Sequence, residues 1–375
     1  MNYKKFLLLP FSFLYGCVVY FRNILYDTDV LFHTTEFDIP IISVGNITAG
    51  GTGKTPHVEY LVKLLKDEFK VATLSRGYGR NTKGYVLAHA GSSSNEIGDE
   101  PKQYKQKFPD ITVAVCEKRV VGVRTILLDH RSVNTILLDD AFQHRAIKPG
   151  LSILLVEYSH LFQPNYLLPA GTLREWTYGS ERADIIVVTK TPKIFSAMER
   201  RRAKELYQLQ PYQTIYFSYI KYEEPLPIWD STPISHTMKY YFEKGYHIIA
   251  LTGIANPEPM LEYLKTHSKN VISAAFPDHH YFTQKDILYV KGLYDEIKES
   301  NKIILTTEKD SMRLIKSGFP LLQNLPVFYI PIEIAFHNND NVEFDKQVIK
   351  YVKAGANKNQ INPAEEEPWT PEIKD

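Results

Sequence analysis

Ile39-Pro40-Ile41-Ile42-Ser43-Val44-Gly45-Asn46-Ile47-Thr48-Ala49-Gly50-Gly51-Thr52-Gly53-Lys54-Thr55-Pro56 is the stretch that decides the fold. Its apolar, β-branched start predicts a short buried strand, and the glycines after it predict a turn. From Pro56 onward, His57-Val58-Glu59-Tyr60-Leu61-Val62-Lys63-Leu64-Leu65 predicts a helix. Strand, glycine loop, helix is the order of a phosphate-binding loop. Glycines let successive backbone N–H groups turn inward around phosphate oxygens, and the helix start adds its positive dipole end. On this reading Thr48, Ala49, Gly50, Gly51, Thr52, Gly53, Lys54 and Thr55 cradle the phosphates. Lys54 reaches the β- and γ-phosphates, and the Thr55 hydroxyl takes one position on Mg²⁺. A strict G-x-x-x-x-G-K-[ST] pattern has glycine at position 48, where this chain has Thr48. A flexible Gly/Thr surface turn is the alternative. The upstream strand, the downstream helix and the intact Gly53-Lys54-Thr55 weigh against it, so the expected ligand is a nucleoside triphosphate.

Working outward, Val71–Ser75 reads as a second buried strand that ends in Arg76-Gly77-Tyr78-Gly79-Arg80. Further strands are expected at Ile111–Val115, at Thr135–Leu138 leading into Asp139-Asp140, at Leu151–Val156 and at Ile185–Thr189, with a helical pattern over Val121–Leu128. Buried strands alternating with helices predict a doubly wound, mainly parallel sheet covered on both faces. Ligands of such sheets sit at the strand carboxyl ends, where Arg76 and Asp139 fall. From about Tyr216 the pattern restarts. Ile215–Ile220 suits a linking strand; His247–Leu251, Val271–Phe276 and Lys302–Thr307 are then separated by helices starting near Pro257 and Thr283. That predicts a second, smaller α/β domain.

The chain has 375 residues, 44% apolar and 23% charged, which suits two globular domains with real cores. A net charge of +1 argues against a broad nucleic-acid footprint, and the dense basic run Arg200-Arg201-Arg202 reads as a solvated helix face. Two cysteines, Cys17 and Cys116, make neither a disulfide framework nor a metal cluster. Nothing in the sequence sets an oligomeric state. At the N-terminus, Phe6–Phe21 is a 16-residue run without charge behind Lys4-Lys5. It is shorter than the roughly 20 residues a spanning helix needs, and no A-x-A-like cleavage site follows it. Tyr15, Tyr20, Phe21 and Tyr26 beside Lys4, Lys5 and Arg22 suit a helix lying in a membrane interface, the reading taken here over burial. Residues 355–375 are polar, rich in Pro and Glu, and expected to be disordered.

Several groups suit phosphoryl transfer. Asp139 and Asp140 stand where an acid at a strand end would hold Mg²⁺ directly or through water, with an acidic surface turn as the alternative. Asp99, in Gly98-Asp99-Glu100-Pro101, suits a general base, and Glu100 suits a metal ligand; capping a helix is the alternative for both. Arg76, Arg119 and Arg174 suit stabilisation of phosphoryl charge or a grip on an anionic acceptor, with a surface arginine as the default for each. In Asp278-His279-His280, adjacent histidines point apart, so one histidine partnering a carboxylate is preferred to a shared metal, with an exposed loop histidine of no role as the alternative. A GTPase reading fails because Thr189-Lys190-Thr191-Pro192 lacks the guanine-reading aspartate.

Taken in order, Ser43-Val44-Gly45-Asn46 through Gly51-Thr52-Gly53-Lys54-Thr55-Pro56, Ser75-Arg76-Gly77-Tyr78-Gly79, Gly98-Asp99-Glu100-Pro101, Leu138-Asp139-Asp140-Ala141-Phe142-Gln143-His144-Arg145, Gly171-Thr172-Leu173-Arg174-Glu175, Phe276-Pro277-Asp278-His279 and Thr307-Glu308-Lys309-Asp310 resemble the tetraacyldisaccharide 4′-kinases of lipid A biosynthesis. The resemblance implies transfer of the γ-phosphate of ATP, with Mg²⁺, to the 4′-hydroxyl of an acylated disaccharide monophosphate lipid at the cytoplasmic face of the inner membrane. It implies Asp99 as the base with His279 as its partner, and Lys54, Arg119 and Arg174 as active-site cations. Thr55, Glu100, Asp139 and Asp140 are implied on the metal or its waters. The implied layout is a membrane-interface segment over 1–26, a phosphate-loop domain over 27–212, a smaller α/β domain over 213–354 joined by a two-stranded linker, and a tail over 355–375. A phosphate-loop kinase or ligase acting on a small soluble metabolite is the alternative, and a partner-regulated ATPase switch a third.

Overall fold

Ile41–Gly45, the strand that feeds the glycine loop (β1), is buried at every residue and lies mid-sheet. Its alternation sends Ile42 and Val44 into the core beneath the helix Lys54–Leu65. Ile41 goes to the opposite face, among Val123 and Ile126 of the helix Arg119–Asp129. In the computed structural model of the chain, residues 3–28, 31–163, 165–232, 236–278 and 280–361 are described. The other strands of this sheet up to the first crossover are β2 (Val71–Ser75), β3 (Val86–Leu87), β4 (Thr112–Val115), β5 (Thr135–Asp139), β6 (Leu151–Glu157), β7 (Ile185–Thr189) and β8 (Thr214–Tyr222). A second sheet contains β9 (Leu226–Pro227), β10 (His247–Thr252), β11 (Val271–Ala275), β12 (Lys302–Thr307) and β13 (Val327–Ile330), and β14 (Ile332–Phe336) returns to the first.

The first sheet runs β14-β8-β7-β6-β1-β5-β2-β4-β3 and is parallel except at its two edges, β14 on β8 and β3 on β4. The chain leaves β1 to one side for β2 and β4, returns to insert β5 between β1 and β2, and only then adds β6 on the other side. That switch sets β5 against β1 in the register Val44↔Asp139, so the acid at the end of β5 flanks the start of the glycine loop. The second sheet runs β11-β10-β12-β13-β9, parallel apart from β9.

Sheet membership departs from the division expected at residue 212. β8 pairs with β7 through Val188↔Phe217 and then continues alongside β14 from Ser218↔Phe336 to Tyr222↔Ile332. The two crossings between the sheets thus form one antiparallel ribbon. The helix Asp340–Ile361 carries Phe344, Val348 and Val352 back into the core under the loop helix. It also reaches into the stretch expected to be disordered, and at Gly355 it lies so close to Pro40 that an added Cβ would meet that ring at 2.6 Å; residues 362–375 lie outside the described set. The run at 200–202 is not uniformly solvated. Arg200 pairs with Asp340 at 2.6 Å and lies over the Phe217 ring, Arg202 lies over Phe162, and Arg201 is exposed beside Glu205.

The N-terminal helix, Tyr3–Asp27, has inverted sidedness. Its buried positions are Ser12, Gly16, Val19 and Asn23, a helical stripe of mostly small and polar residues. Gly16 lies so close to Leu167 and Trp176 that an added Cβ would come within 2.7 Å of either side chain. Ser12 donates to the Leu167 carbonyl at 2.9 Å, and the Trp176 ring N–H donates to the Gly16 carbonyl at 3.1 Å. Phe6, Leu7, Phe11, Phe13, Leu14, Val18 and Phe21 are all more than 60% exposed on the other side.

Candidate active site

The loop is held from below before any ligand is considered. Asn46, fully buried at the end of β1, donates from Nδ2 to the Thr52 hydroxyl at 2.9 Å. Thr189, at the end of β7, donates to the Thr52 carbonyl at 2.9 Å. Gly53 sits at φ 87°, a left-handed position that admits glycine readily, and the helix begins at Lys54. His57, one turn in, has Nδ1 at 2.7 Å from the Gly53 carbonyl and Nε2 at 3.0 Å from the Ser218 hydroxyl. Burial lowers its pKa to about 4, so the ring is neutral at physiological pH. The sides are fixed by the segment after Leu167: the Ala49 N–H donates to the Thr172 carbonyl at 2.6 Å, and Thr48 bridges Leu173. Gly50 and Gly51, at the tip, are exposed with open space around them.

Around this loop the acids and bases separate by burial. Asp139 is buried, and it accepts from the Tyr104 hydroxyl at Oδ2, 3.0 Å away. Burial, reinforced by the charge of Asp140 and opposed by Lys54, raises its carboxyl to about 6. Asp140, at φ 48°, turns outward to meet Arg174 at 3.1 Å and Lys54 at 3.5 Å, while Lys54 also reaches Asn46 Oδ1 at 3.4 Å. Arg119 is buried at the start of its helix and donates to the carbonyls of Cys116, at 2.8 Å, and Asp139, at 3.2 Å. Glu175 is fully buried, paired with Arg182 at 2.9 Å, and accepts from Gln143 at 3.0 Å and Asn23 at 3.4 Å. Gln143 also donates to the Asn46 carbonyl at 2.6 Å.

Asp99 and Glu100 open the helix Asp99–Lys107 and face the second sheet. Asp99 pairs with Arg313 at 3.3 Å and Glu100 with Lys309 at 3.4 Å. Lys54, Asp140 and Glu100 all act electrostatically on Asp139, so these predicted residues share one mouth. Arg76, exposed at the end of β2, acts on Arg119. His279 lies outside the described residues. His280 is engaged locally, with Nε2 at 2.9 Å from Asp286 and its ring stacked on Phe276.

Among the described residues no three His, Cys, Asp or Glu side chains converge as a metal cage. The buried Oδ1 of Asp139 has no hydrogen-bond partner, however. Mg²⁺ keeps most of its positions for phosphate and water, so one such carboxylate oxygen and the Thr55 hydroxyl suit its chemistry. Reading the sequence alone passed over Asn46, Tyr104, Glu175 and Arg313. Asn46, directly between strand and loop, carried a local signal; the other three are recognised only by what they face.

A strand ending in an anchored glycine loop, a lysine at the helix start, and an acid delivered by the adjacent strand define a phosphate-loop nucleotide enzyme. The family model described as tetraacyldisaccharide-1-P 4′-kinase matches residues 4–353, and the chain belongs to that family. It is 44% identical over 351 residues to the tetraacyldisaccharide 4′-kinase of Phocaeicola vulgatus, covering 92% of this chain and 94% of that protein. It is 42% identical to the one from Bacteroides thetaiotaomicron, covering 96% of each. Its backbone is similar to LpxK from Aquifex aeolicus, crystallised in complex with ATP, with a TM-score of 0.69 and 30% identity over 93% of this chain and 99% of that one.

Proposed function

We propose that this chain transfers the γ-phosphate of ATP to the 4′-hydroxyl of a tetraacyldisaccharide 1-phosphate in lipid A synthesis. One observation carries the reading: the family match over residues 4–353 takes in every segment that surrounds the phosphate loop. The acceptor oxygen attacks the γ-phosphorus, the bond to the β–γ bridging oxygen breaks, and ADP leaves. The hydroxyl proton passes to Asp99, with His279 as the partner of that carboxylate. The engagement of His280 with Asp286 and Phe276 supports giving that role to its neighbour. Lys54 and the main-chain amides of residues 48–55 act on the phosphate charge. Arg174, on Asp140 beside Lys54, is a cation at the same mouth. Arg119 acts through the end of β5, whose last carbonyl it holds. Thr55 and Asp139 would hold Mg²⁺, with Asp140 and Glu100 on its waters; when bound it neutralises charge across the β- and γ-phosphates.

The N-terminal helix lies on the membrane, peripheral or monotopic, at the cytoplasmic face of the inner membrane where ATP is present. Its inverted stripe supports this: polar and small residues face the protein and large apolar ones face outward. The test is incubation of purified protein with labelled ATP and tetraacyldisaccharide 1-phosphate in detergent micelles. A bisphosphorylated lipid is expected, with transfer about 10²–10⁴-fold slower in Asp99→Asn; His279→Ala should slow it by more than about twofold, a threshold well below the usual contribution of acid–base groups. ATP turnover that ignores the acceptor, with no labelled lipid, overturns the reading.

A further inference from the structure

Arg313 belongs to the second sheet's helix Glu308–Ser317, yet its guanidinium reaches a residue of the first. Its fork is divided. Nη1 donates to Asp310 Oδ1 at 2.9 Å and to the Gly253 carbonyl at 3.0 Å, and Nη2 donates to Asp99 Oδ2 at 3.3 Å. The anchoring side is built as a unit. Asp310 is fully buried, and its Oδ2 accepts from the Gly253 N–H at 2.8 Å and from the Thr307 hydroxyl at 2.8 Å. Thr307 in turn caps the helix by accepting from the Asp310 N–H at 3.1 Å. Gly253 permits the close approach, since a Cβ there would stand 3.1 Å from Asp310 Oδ1. Arg313 itself is only 6% exposed. One arm of a planar cation is therefore fixed in the second lobe, and the other is presented across the gap.

We propose that Arg313 is a positioning residue for phosphoryl transfer: it grips one oxygen of Asp99 from the opposite lobe and sets the rotation of that carboxylate only when the lobes are juxtaposed as they are here. The proposal rests on the reading of Asp99 as base. A carboxylate at a helix start can turn about its Cβ–Cγ bond, and proton acceptance requires one oxygen within hydrogen-bond reach of the acceptor hydroxyl. A guanidinium fixed at its other arm removes that freedom, which a flexible lysine would do less well. Because Arg313 and Asp99 belong to different lobes, orientation of the base becomes conditional on their approach. A role confined to the second lobe would be compensation of Asp310 alone, with no bearing on Asp99.

The test uses the full chain with ATP and the tetraacyldisaccharide 1-phosphate, and compares Arg313→Gln, Arg313→Lys, Asp99→Asn and the Asp99→Asn/Arg313→Gln double variant. Arg313→Gln should lower kcat by about 10- to 100-fold, the cost typical of a misplaced reacting group, with KM for ATP changed less than about twofold. Arg313→Lys, which keeps the charge and lets Asp310 stay paired, should recover part of the loss. In the Asp99→Asn background, Arg313→Gln should cost less than about twofold more, as expected of two residues acting as a unit. Unchanged kcat in both Arg313 variants overturns the proposal, as does an equal loss with and without Asp99. Wild-type kcat in Asp99→Asn overturns the base reading itself and the proposal with it.

Discussion

Replacing His57 by asparagine tests whether the phosphate loop is pinned from beneath by a neutral ring. The Gly53 carbonyl can only accept, so Nδ1 carries the hydrogen and Nε2 accepts from the Ser218 hydroxyl. The ring is 3% exposed, and burial outweighs the favourable pull of the Gly53 carbonyl to lower its pKa from 6.5 to about 4. A depressed folded-state value means that the stability from the neutral ring is present above pH 6.5 and declines as pH falls. The decline is complete once pH passes below about 4. Integrated over that window, one proton is worth roughly 3 kcal/mol.

The asparagine variant can keep a donor toward Gly53 but cannot titrate in this range. At pH 7.5 it should be less stable than wild type by about 1–2 kcal/mol, the net value of a lost buried hydrogen bond and some packing. By pH 4.5 wild type should have lost about 2–3 kcal/mol through this ring, so the two curves should meet or cross. Urea denaturation in the same detergent at pH 7.5, 6.0 and 4.5 measures the gap. His144, whose pKa burial and the neighbouring Arg119 also lower to about 4, titrates in both proteins and cancels. A gap constant within about 0.5 kcal/mol, the usual scatter of independent sites, would refute the reasoning.

Two further expectations follow from the packing. Lys107 joins Glu59 of the loop helix, at 2.7 Å, to Glu308 of the second lobe, at 2.9 Å, and both acids are buried. Lys107→Met should cost about 3–5 kcal/mol by leaving two buried carboxylates without their cation. Burial already raises the Glu59 pKa, so protonation relieves it: the deficit in thermal stability should shrink between pH 7.5 and pH 5, and an equal deficit at both would count against the bridge. On the N-terminal helix, Phe13→Glu changes a residue 66% exposed and should leave the folded stability unchanged while weakening vesicle binding more than about tenfold, on the order of one lost phenyl insertion. Undiminished binding would remove the helix from the membrane contact.

Local physics made the loop legible. A β-branched run, a glycine cluster and a helical period each point to one structure, and no distant residue is needed for that agreement. The parallel strands were legible for the same reason, since burial on both faces turns them into unbroken apolar runs. β14 was not, because Ile332-Glu333-Ile334-Ala335-Phe336 is only partly buried and its partner lies more than a hundred residues earlier. Nor could the sequence tell Asp139 from Asp140. Their difference comes from register: Asp139 stays in line with Val44 and is buried, while φ 48° at Asp140 swings its side chain toward Lys54 and Arg174. The stripe Ser12, Gly16, Val19, Asn23 was there to be read, but counting apolar residues hides which face carries them.

That stripe ties the outer surface of the protein to its catalytic mouth. The Tyr15 hydroxyl donates to the Arg174 carbonyl at 2.8 Å, Asn23 reaches Glu175 at 3.4 Å, and Trp176 holds Gly16. The segment from Leu167 to Trp176 is therefore gripped by the N-terminal helix on one side. On the other it closes the loop through Thr172 and Leu173 and sends Arg174 to Asp140. The helix proposed to lie on a lipid surface thus shares its packing with Arg174, which meets the same Asp140 as Lys54. Asp99, by contrast, is addressed from the second lobe by Arg313. For a kinase whose acceptor is a lipid, this division has a physical logic. With the proposed lipid contact and the proposed base, the lipid side would set Arg174 and the walls of the phosphate loop, lobe approach would set Asp99, and transfer to water would be disfavoured because neither condition alone completes the site.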